Sequence, residues 1–547
     1  MKTKKILALL LCFVMAFSAL SFTGCLGPKD VMGLKIDEEC YVNKTPSIGY
    51  SEKTYNDTVK NIASLKTLVE KEEASDLACQ ILSLLVSTEL YKLIDALSLA
   101  NVYYYSDMSD EKNRNGYEDL YAKYSTIINE FKKLYPLFAE SKYKTIFFGE
   151  DATDEEIKEL VSKAVVSDEL VALNGKVLAL TTRYNDFTDA QIDGKEFDEL
   201  YTELVNDLNK TGKIYGFDNY LQYSYAMEYS RDFTPADTLN FVNLLSGDVL
   251  NTVERSLNNC NDAIDSLGED KLDKLDGILD APFTSDASKT ILDGFYRSLG
   301  DEIYDIYKHV LNNGYYFIAQ SETAYAGAFT NYFNMIGEPF MYFSSAYASV
   351  GTFVHEFGHY CRYYLKGNND EGSYELMETH SQGAEWLFAC YVSDTLSDVE
   401  KSYFVNSKFF EDSYMVLVSA CVGAAEVDIY SLADLSGADY YDIVGKRKTQ
   451  LFGATFPEFY SAFITPEKYF RRVAVNSPGY YISYSVSLIS SIQLFVKGAE
   501  SYETGVASYQ SILKTDKDYV GALKEAEIGS PFEKATINAI CSTFSNV

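Results

Sequence analysis

The feature that most constrains this chain is the stretch Val-His-Glu-Phe-Gly-His at residues 354–359. Because His355 and His359 stand four residues apart, both imidazoles would project from one face of a helix. They could then bind one metal ion, with Glu356 beside it. The chain has only four histidines, and three of them lie between residues 355 and 380, which makes a chance match improbable. Since neutral imidazole is a good zinc ligand, the motif predicts a zinc site built on a helix.

A third protein ligand is expected downstream of the two histidines. Catalytic zinc usually has three protein ligands and one water, and a carboxylate is the usual partner of two neutral histidines in metallopeptidases. Residue type and position alone leave five candidates open: Glu371, Glu375, Glu378, His380 and Glu385.

The charge and size of the chain exclude several classes of protein. The formal net charge is -33 at pH 7. Binding to nucleic acid requires a positive surface that displaces counterions from phosphates, so no nucleic-acid partner is expected. The same charge disfavours electrostatic adhesion to anionic lipid. The hydrophobic fraction of 47% indicates a globular protein, and 547 residues are enough for two or more domains.

The N-terminus has the pattern of an export signal. Three lysines within the first five residues precede an apolar run that ends near Phe22, which predicts a signal peptide over residues 1–24. The ending Ser21–Cys25 resembles the bacterial lipobox, and predicts lipidation of Cys25. We therefore expect a protein anchored by lipid to the outer face of the cell membrane, with simple secretion as the alternative. No later run is expected to span a bilayer, so the lipid would be the only membrane contact.

The remaining chain divides by pattern into three stretches. Residues 25–50 lack a sustained period and predict a tether, while residues 51–320 show helical periodicity and predict a helical N-terminal domain. Thr153 and Glu156 have the spacing of a capping box at one helix start. Short aromatic segments at 315–319 and 340–343 predict a small β-sheet just before the histidine motif. An edge strand of that sheet could bind an extended peptide.

Beyond the motif itself, the pattern is similar to a known family of enzymes. The stretch 352–359, followed by 378–385, resembles the thimet oligopeptidase / oligoendopeptidase F family of zinc peptidases, and is closest to the oligoendopeptidase F branch. In that family the third ligand is a Glu followed three residues later by Ser and seven residues later by Glu. Glu378, Ser381 and Glu385 match this order. Segments at 267–301, 326–342 and 477–484 extend the resemblance over roughly residues 215 to 490.

The resemblance implies a fold and a set of roles. The fold is mainly α, a large helical body with a deep cleft, with a catalytic domain over residues 321–547 and one Zn²⁺ held by His355, His359 and Glu378. Glu356 would be the general base, and the substrates would be short, extended peptides. The oxyanion of the transition state would be stabilised by tyrosine hydroxyls, with Tyr484 preferred over Tyr480 and Tyr481. Glu385 and His380 would lie behind the ligands.

One departure from the family concerns the third ligand. The interval from His359 to Glu378 is shorter than the family's usual one, and by interval alone Glu385 would fit better. However, position 392, seven residues after Glu385, is a valine. Glu378 is therefore the preferred ligand, and Glu385 is the alternative.

Two other functions are considered. The first is an aminopeptidase of the glutamate-zinc class, in which a glutamate on a strand binds the peptide amine, but here Thr330 stands in the place of that glutamate. The second is a non-catalytic peptide-binding surface lipoprotein. An intact set of His355, Glu356, His359 and Glu378 argues against the second, because a site that has lost turnover commonly lacks one of these residues.

Overall fold

The protein is represented by a computed structural model that describes residues 49–150, 152–164, 167–367 and 373–545. The predicted signal peptide, Cys25 and nearly all of the predicted tether lie outside the described residues. So does Glu371, one of the five candidate ligands.

Helices dominate the chain before the sheet, as predicted. Several helices begin at a residue whose side chain caps them, including the one with the predicted capping box. There, Thr153 Oγ1 accepts the N–H of Glu156 at 3.2 Å, and the Glu156 carboxylate accepts the N–H of Thr153 at 2.6 Å. One π-helical turn, Ser224–Glu228, directly follows the short α-helix Tyr220–Tyr223. The helices are α1 (Glu52–Lys71), α2 (Asp76–Ser106), α3 (Glu111–Lys132), α4 (Leu134–Glu140), α5 (Lys144–Phe148), α6 (Asp154–Lys163), α7 (Asp168–Asn185), α8 (Asp189–Ile192), α9 (Lys195–Ile214), α10 (Tyr220–Tyr223), α11 (Pro235–Leu245), α12 (Asp248–Ser266), α13 (Glu269–Asp280), α14 (Asp286–Ser298) and α15 (Asp301–Asn313).

The predicted small sheet is present and has three strands: β1 (Tyr316–Ala319), β2 (Ala328–Phe333) and β3 (Glu338–Ser344). Strand β3 is central, parallel to β1 and antiparallel to β2. The aromatic residues that predicted the strands fill one core, since Phe317, Phe340 and Tyr342 are almost completely buried.

Helices resume after the sheet and carry the histidine motif. Helix α16 (Val350–Lys366) contains it, and α17 (Tyr374–Ser393) contains the candidate carboxylates. Helices α17 and α21 pack along each other, and the long α18 packs against α12 and α21. The helices after α17 are α18 (Asp398–Tyr430), α19 (Tyr440–Phe452), α20 (Pro466–Val473), α21 (Ile482–Glu500), α22 (Tyr502–Lys514), α23 (Tyr519–Glu525) and α24 (Lys534–Phe544).

The chain packs as two compact units whose segments alternate along the sequence. One unit comprises the described residues up to Gly175, Lys308–Tyr347 and the two residues 366 and 367. In it, Asp95 on α2 accepts the N–H groups of Asn334 and Met335 at 2.9 and 2.7 Å and so holds the turn between β2 and β3. The pKa of Asp95 is raised to about 6 by burial, which these hydrogen bonds only partly offset.

The other unit contains Lys176–Tyr307, Ala348–Leu365 and the described residues from 373 to 545, so it carries nearly all of α16, together with α17 and the helices after it. The two units differ from the sequence-based ranges 51–320 and 321–547, which follow a change of residue pattern. The residue pattern along a chain does not show which distant segments pack together. The ranges 51–320 and 321–547 therefore remain a prediction of the domain organisation.

By length and composition, two of the described helices could cross a membrane, α2 and α18. The expectation that no run after the signal is apolar enough was therefore wrong. The most apolar window of α18 is 89% buried inside the protein, whereas that of α2 is 39% buried.

Candidate metal centre

The structure brings two histidines and one glutamate together. His355 and His359 lie one turn apart on α16, and Glu378 approaches them from α17. One ligand atom from each residue lies within 4.8 Å of the other two. Within the described parts of the chain, this is the one group of three or more His, Cys, Asp and Glu residues close enough to hold a metal ion. Glu378 rather than Glu385 therefore completes the set, in agreement with the preferred of the two predictions.

A glycine in the motif allows the two helices to approach this closely. A Cβ atom on Gly358 would lie 2.5 Å from the carbonyl oxygen of His380 and 2.7 Å from the Cα of Ser381. Both atoms belong to the backbone of α17, which cannot move aside as a flexible side chain could. Gly358 was not singled out in the sequence, although its position inside the motif was the available signal.

The tautomer of His355 is set by a carboxylate behind it. Its Nδ1 lies 2.7 Å from Glu385 Oε1, and its Nε2 faces Glu378 Oε2 at 3.7 Å. In the neutral imidazole, the hydrogen bond to Glu385 places the proton on Nδ1 and leaves the lone pair of Nε2 for a metal. Burial works against the charged imidazole, but the hydrogen bond and charge of Glu385 raise the pKa of His355 to about 9, so a metal ion that binds Nε2 would displace a proton from it. Glu385 thus contacts His355 at the ring nitrogen that does not face Glu378.

The other histidine of the set is held neutral. Burial, together with the charge of His355, lowers the pKa of His359 to about 3. A neutral imidazole is the form that binds a metal ion. The chemistry of the donor set, two imidazole nitrogens and one carboxylate, fits zinc.

The support of His355 continues away from the metal site. Lys408 on α18 donates to Glu385 Oε2 at 2.9 Å and lies 3.2 Å from Asp412. Burial opposes ionisation of Glu385, yet the charge of Lys408 and the hydrogen bond from His355 hold the pKa of Glu385 at about 2. Lys408 also lies 5.0 Å from the centre of the Trp386 ring. Neither Lys408 nor Asp412 was predicted, because their link to the motif arises only when α18 packs on α17.

The predicted general base lies next to the ligands. Glu356 is on α16 between the two histidines in sequence, and it is 5% exposed. Its charge contributes to the raised pKa of His355, so the carboxylate is close to the ligand set.

The segment 477–484, called the tyrosine segment below, reaches the site. Tyr480 donates its hydroxyl to Glu378 Oε1 at 2.8 Å, and Tyr484, the preferred candidate, lies behind it with the two hydroxyl oxygens 3.5 Å apart. The ring centre of Tyr481 lies 5.8 Å from those of both Tyr480 and Tyr484. Burial raises the pKa of Tyr480 and of Tyr484 well above the usual value, so both hydroxyls remain donors.

Glu375, another of the five candidates, has a different partner. Its Oε1 accepts Arg231 Nε at 2.6 Å and the hydroxyl of Ser483 at 2.7 Å, and the ion pair has no exposed side-chain surface. Arg231 also donates to the backbone oxygen of Gly479 at 2.7 Å. No sequence signal pointed to Arg231, which lies 144 residues before its partner.

His380 does not join the metal ligands. It lies on α17 and is completely buried, and its backbone oxygen accepts the hydroxyl of Tyr509 at 2.9 Å. Burial and the nearby Arg362 hold the pKa of His380 well below its usual value, so the imidazole is neutral.

Comparison with known proteins gives similarity at the level of the fold. No protein-family profile and no curated protein matches the chain. Among solved structures, a protein provisionally assigned as an oligoendopeptidase F is similar with a TM-score of 0.69 and 13% identity, over 93% of this chain and 98% of that one. PZ peptidase A, solved with an inhibitor, has a TM-score of 0.65 and 15% identity, over 93% and 99%. Oligoendopeptidase F from Enterococcus faecium has a TM-score of 0.57 and 14% identity, over 90% and 96%. The chain therefore has the mainly α fold of these peptidases.

Proposed function

We propose that this chain is a zinc-dependent oligoendopeptidase that hydrolyses internal bonds of short peptides. One observation carries the proposal: His355, His359 and Glu378 present their ligand atoms within 4.8 Å of one another, beside Glu356. The fold shared with oligoendopeptidases supports the same conclusion.

The metal would be held by His355, His359 and Glu378. When bound to such a set, zinc lowers the pKa of a water molecule toward neutrality and polarises the carbonyl group of the substrate. Ligand type argues for zinc, since two neutral imidazoles and a carboxylate are a common donor set of catalytic zinc.

The chain's own groups would then move protons and stabilise charge. Glu356 would accept a proton from the attacking water and donate it to the leaving amine. The oxyanion that forms on the substrate carbonyl needs hydrogen-bond donors placed in advance. Tyr480 and Tyr484 supply two adjacent hydroxyls, and Tyr480 contacts Glu378 directly.

The substrates would be short and extended. Strand β2 is an edge strand of its sheet, and an edge can pair with an extended peptide through backbone hydrogen bonds. The export pattern at the N-terminus supports a place outside the cytoplasmic membrane, with Cys25 as the lipid attachment.

The proposal is tested by a panel of peptides with quenched fluorescence at internal bonds. Wild-type protein should hydrolyse members of the panel, a chelator should abolish hydrolysis, and added zinc should restore it. Glu356→Gln should lower kcat by about 10²-fold or more while zinc content stays at one ion per chain, because the base is lost and the ligands are not.

Two outcomes would contradict the proposal. Wild-type protein that contains zinc and binds peptides without hydrolysing them would support the non-catalytic lipoprotein. Hydrolysis limited to peptides with a free N-terminus would support the aminopeptidase.

A further inference from the structure

One buried arginine links the helix that carries Glu378 to the segment that carries Tyr480. Arg231 follows the π-helical turn Ser224–Glu228 and Ser230, a non-glycine residue with φ of 49°. Both features are uncommon and occur preferentially where the surrounding structure requires a particular backbone path. Here the path turns Arg231 into the interior, where its side chain has no exposed surface.

All three nitrogen atoms of the Arg231 guanidinium make hydrogen bonds. Nε donates to Glu375 on α17 at 2.6 Å, and Nη1 donates to the backbone oxygen of Gly479 at 2.7 Å. Nη2 donates to Ser483 Oγ at 2.7 Å and to the backbone oxygen of Tyr480 at 3.3 Å. A planar fork of donors can hold partners in several fixed directions at once, which an ammonium group cannot do.

Aromatic rings enclose the guanidinium on the remaining sides. Its central carbon lies 4.2 Å from the ring centre of Tyr225, 4.5 Å from that of Tyr229 and 5.5 Å from that of Phe233. Tyr229 also donates its hydroxyl to the backbone oxygen of Pro478 at 2.8 Å. The segment 225–233 therefore holds both the arginine and the start of the tyrosine segment.

The backbone of the tyrosine segment is fixed from the opposite direction as well. Glu426 on α18 accepts the N–H of Gly479 at 2.8 Å, and Gly479 has a φ of 78°. A Cβ at this glycine would lie 2.9 Å from a side-chain carbon of Leu221. With Gly479 held at both its N–H and its carbonyl, the position of Tyr480 follows.

We propose that Arg231 is a positioning residue of the metal centre, which sets the hydroxyl of Tyr480 against Glu378 by binding the tyrosine segment and helix α17 together. The role rests on the proposed function. Glu375, the partner of Arg231, lies three residues before Glu378, so one guanidinium fixes both sides of the Tyr480–Glu378 contact of 2.8 Å. None of the hydrogen bonds described for Arg231 goes to His355, His359 or Glu378.

The test compares Arg231→Lys with a matched control, Arg471→Lys. Arg471 is also buried, pairs with Asp198 and lies over two aromatic rings, but it has no contact with the tyrosine segment among the hydrogen bonds described. Zinc affinity is measured on metal-free protein by competition with a chelating indicator, and kcat and KM are measured on the zinc-loaded protein. Because residues that orient metal ligands commonly contribute about 10–100-fold to affinity, Arg231→Lys should weaken zinc binding by roughly 10-fold. It should lower kcat with little change in KM, and Arg471→Lys should do neither.

A double-mutant cycle with Tyr480→Phe separates positioning from general loss of structure. If Arg231 acts through Tyr480, the double variant binds zinc no more weakly than Tyr480→Phe alone. Ser483→Ala, which removes one contact of Arg231 and leaves the ion pair in place, gives a milder variant should Arg231→Lys fail to fold; it is expected to weaken zinc binding in the same direction.

Unchanged zinc affinity in Arg231→Lys, or effects that add to those of Tyr480→Phe, would overturn the proposal. So would a loss of affinity of equal size in Arg471→Lys. If the wild type hydrolyses no peptide, the proposed function fails, whereas the zinc measurements still decide the role of Arg231.

Discussion

At the scale of single residues, the site depends on buried charges that compensate one another. His355, Glu385, Lys408 and Asp412 form a continuous row of hydrogen-bonded or ion-paired groups between α16 and α18. Such a row is costly to break, because removal of one member leaves a charge in the interior without a partner. The row fixes which nitrogen of His355 faces Glu378.

Glu426 is a buried carboxyl group without a cationic partner in hydrogen-bond contact. Its Oε1 accepts the N–H of Gly479, and its Oε2 has no hydrogen-bond partner within the described structure. Burial raises the pKa of Glu426 to about 8, although the bond from Gly479 and the charge of Arg231 oppose the shift. The group is therefore mainly protonated in the folded chain at neutral pH.

The sign of the resulting pH dependence follows from linkage. Between the ordinary pKa of 4.5 and about 8, the folded state binds the proton more tightly than the unfolded state. The contribution of Glu426 to stability is thus complete below pH 4.5 and is lost as the pH rises to about 8, at roughly 1.4 kcal/mol for each pH unit. Glu426→Gln removes this pH-dependent contribution to stability, because an amide does not titrate in this range. As the pH rises from 5 to 8, the free energy of unfolding of the variant should increase relative to that of the wild type. Above pH 8 the difference between the two proteins should stay constant.

Urea unfolding of both proteins at several pH values checks this prediction. A difference between variant and wild type that does not change with pH would show that Glu426 is ionised in the folded chain.

At the scale of elements, the close approach of α16 and α17 decides whether the motif can bind a metal. Sequence spacing alone predicted that His355 and His359 share a face, and the helix confirms it. The choice between Glu378 and Glu385 depends on how α17 lies across α16, which spacing along the chain does not encode. Gly358 permits that approach, since a Cβ there would meet the backbone of α17.

Gly358→Ala should therefore separate the two helices. Overpacking against a backbone that cannot move away commonly costs about 1–3 kcal/mol, and a shift of a few tenths of an ångström would weaken zinc binding. We expect a lower melting temperature and a zinc affinity reduced by roughly 10-fold or more, measured by calorimetry and by competition with a chelator.

Gly351, seven residues earlier on α16, provides the matched control. A Cβ there would meet atoms of Leu279 no nearer than 3.5 Å, which is ordinary contact. Gly351→Ala should leave zinc affinity unchanged and leave stability unchanged or slightly higher, because alanine is favoured over glycine in helices. Equal behaviour of the two variants would contradict the account of Gly358.

At the scale of the whole molecule, the sequence predicted the fold class and the residues of the local motif better than it predicted the packing. The mainly α fold, the small sheet and the helix with His355 and His359 were all expected and are confirmed. The contacts of Arg231 with Glu375, and of Lys408 with Glu385, join residues far apart in the sequence. A single sequence carries no signal for such pairs, because each residue alone resembles a charge on a helix surface.

The location of the protein is a further property at this scale. If Cys25 carries the lipid that anchors the chain, Cys25→Ala should move the protein from the membrane fraction to the soluble fraction of cells that export it. Immunoblots of both fractions check this, with Cys40→Ala as the matched variant, which should stay with the membrane. Membrane association that survives Cys25→Ala would show that another segment binds the membrane.

The central claim is that one zinc site, with Glu356 as its base, cleaves internal peptide bonds. Its most direct test is mass spectrometry of a short peptide that is acetylated at its N-terminus and amidated at its C-terminus, after incubation with zinc-loaded protein. We expect two fragments that together make up the whole peptide with wild-type protein, and an intact peptide with Glu356→Gln at the same zinc content. An intact peptide with zinc-loaded wild type, or equal cleavage by Glu356→Gln, would contradict it.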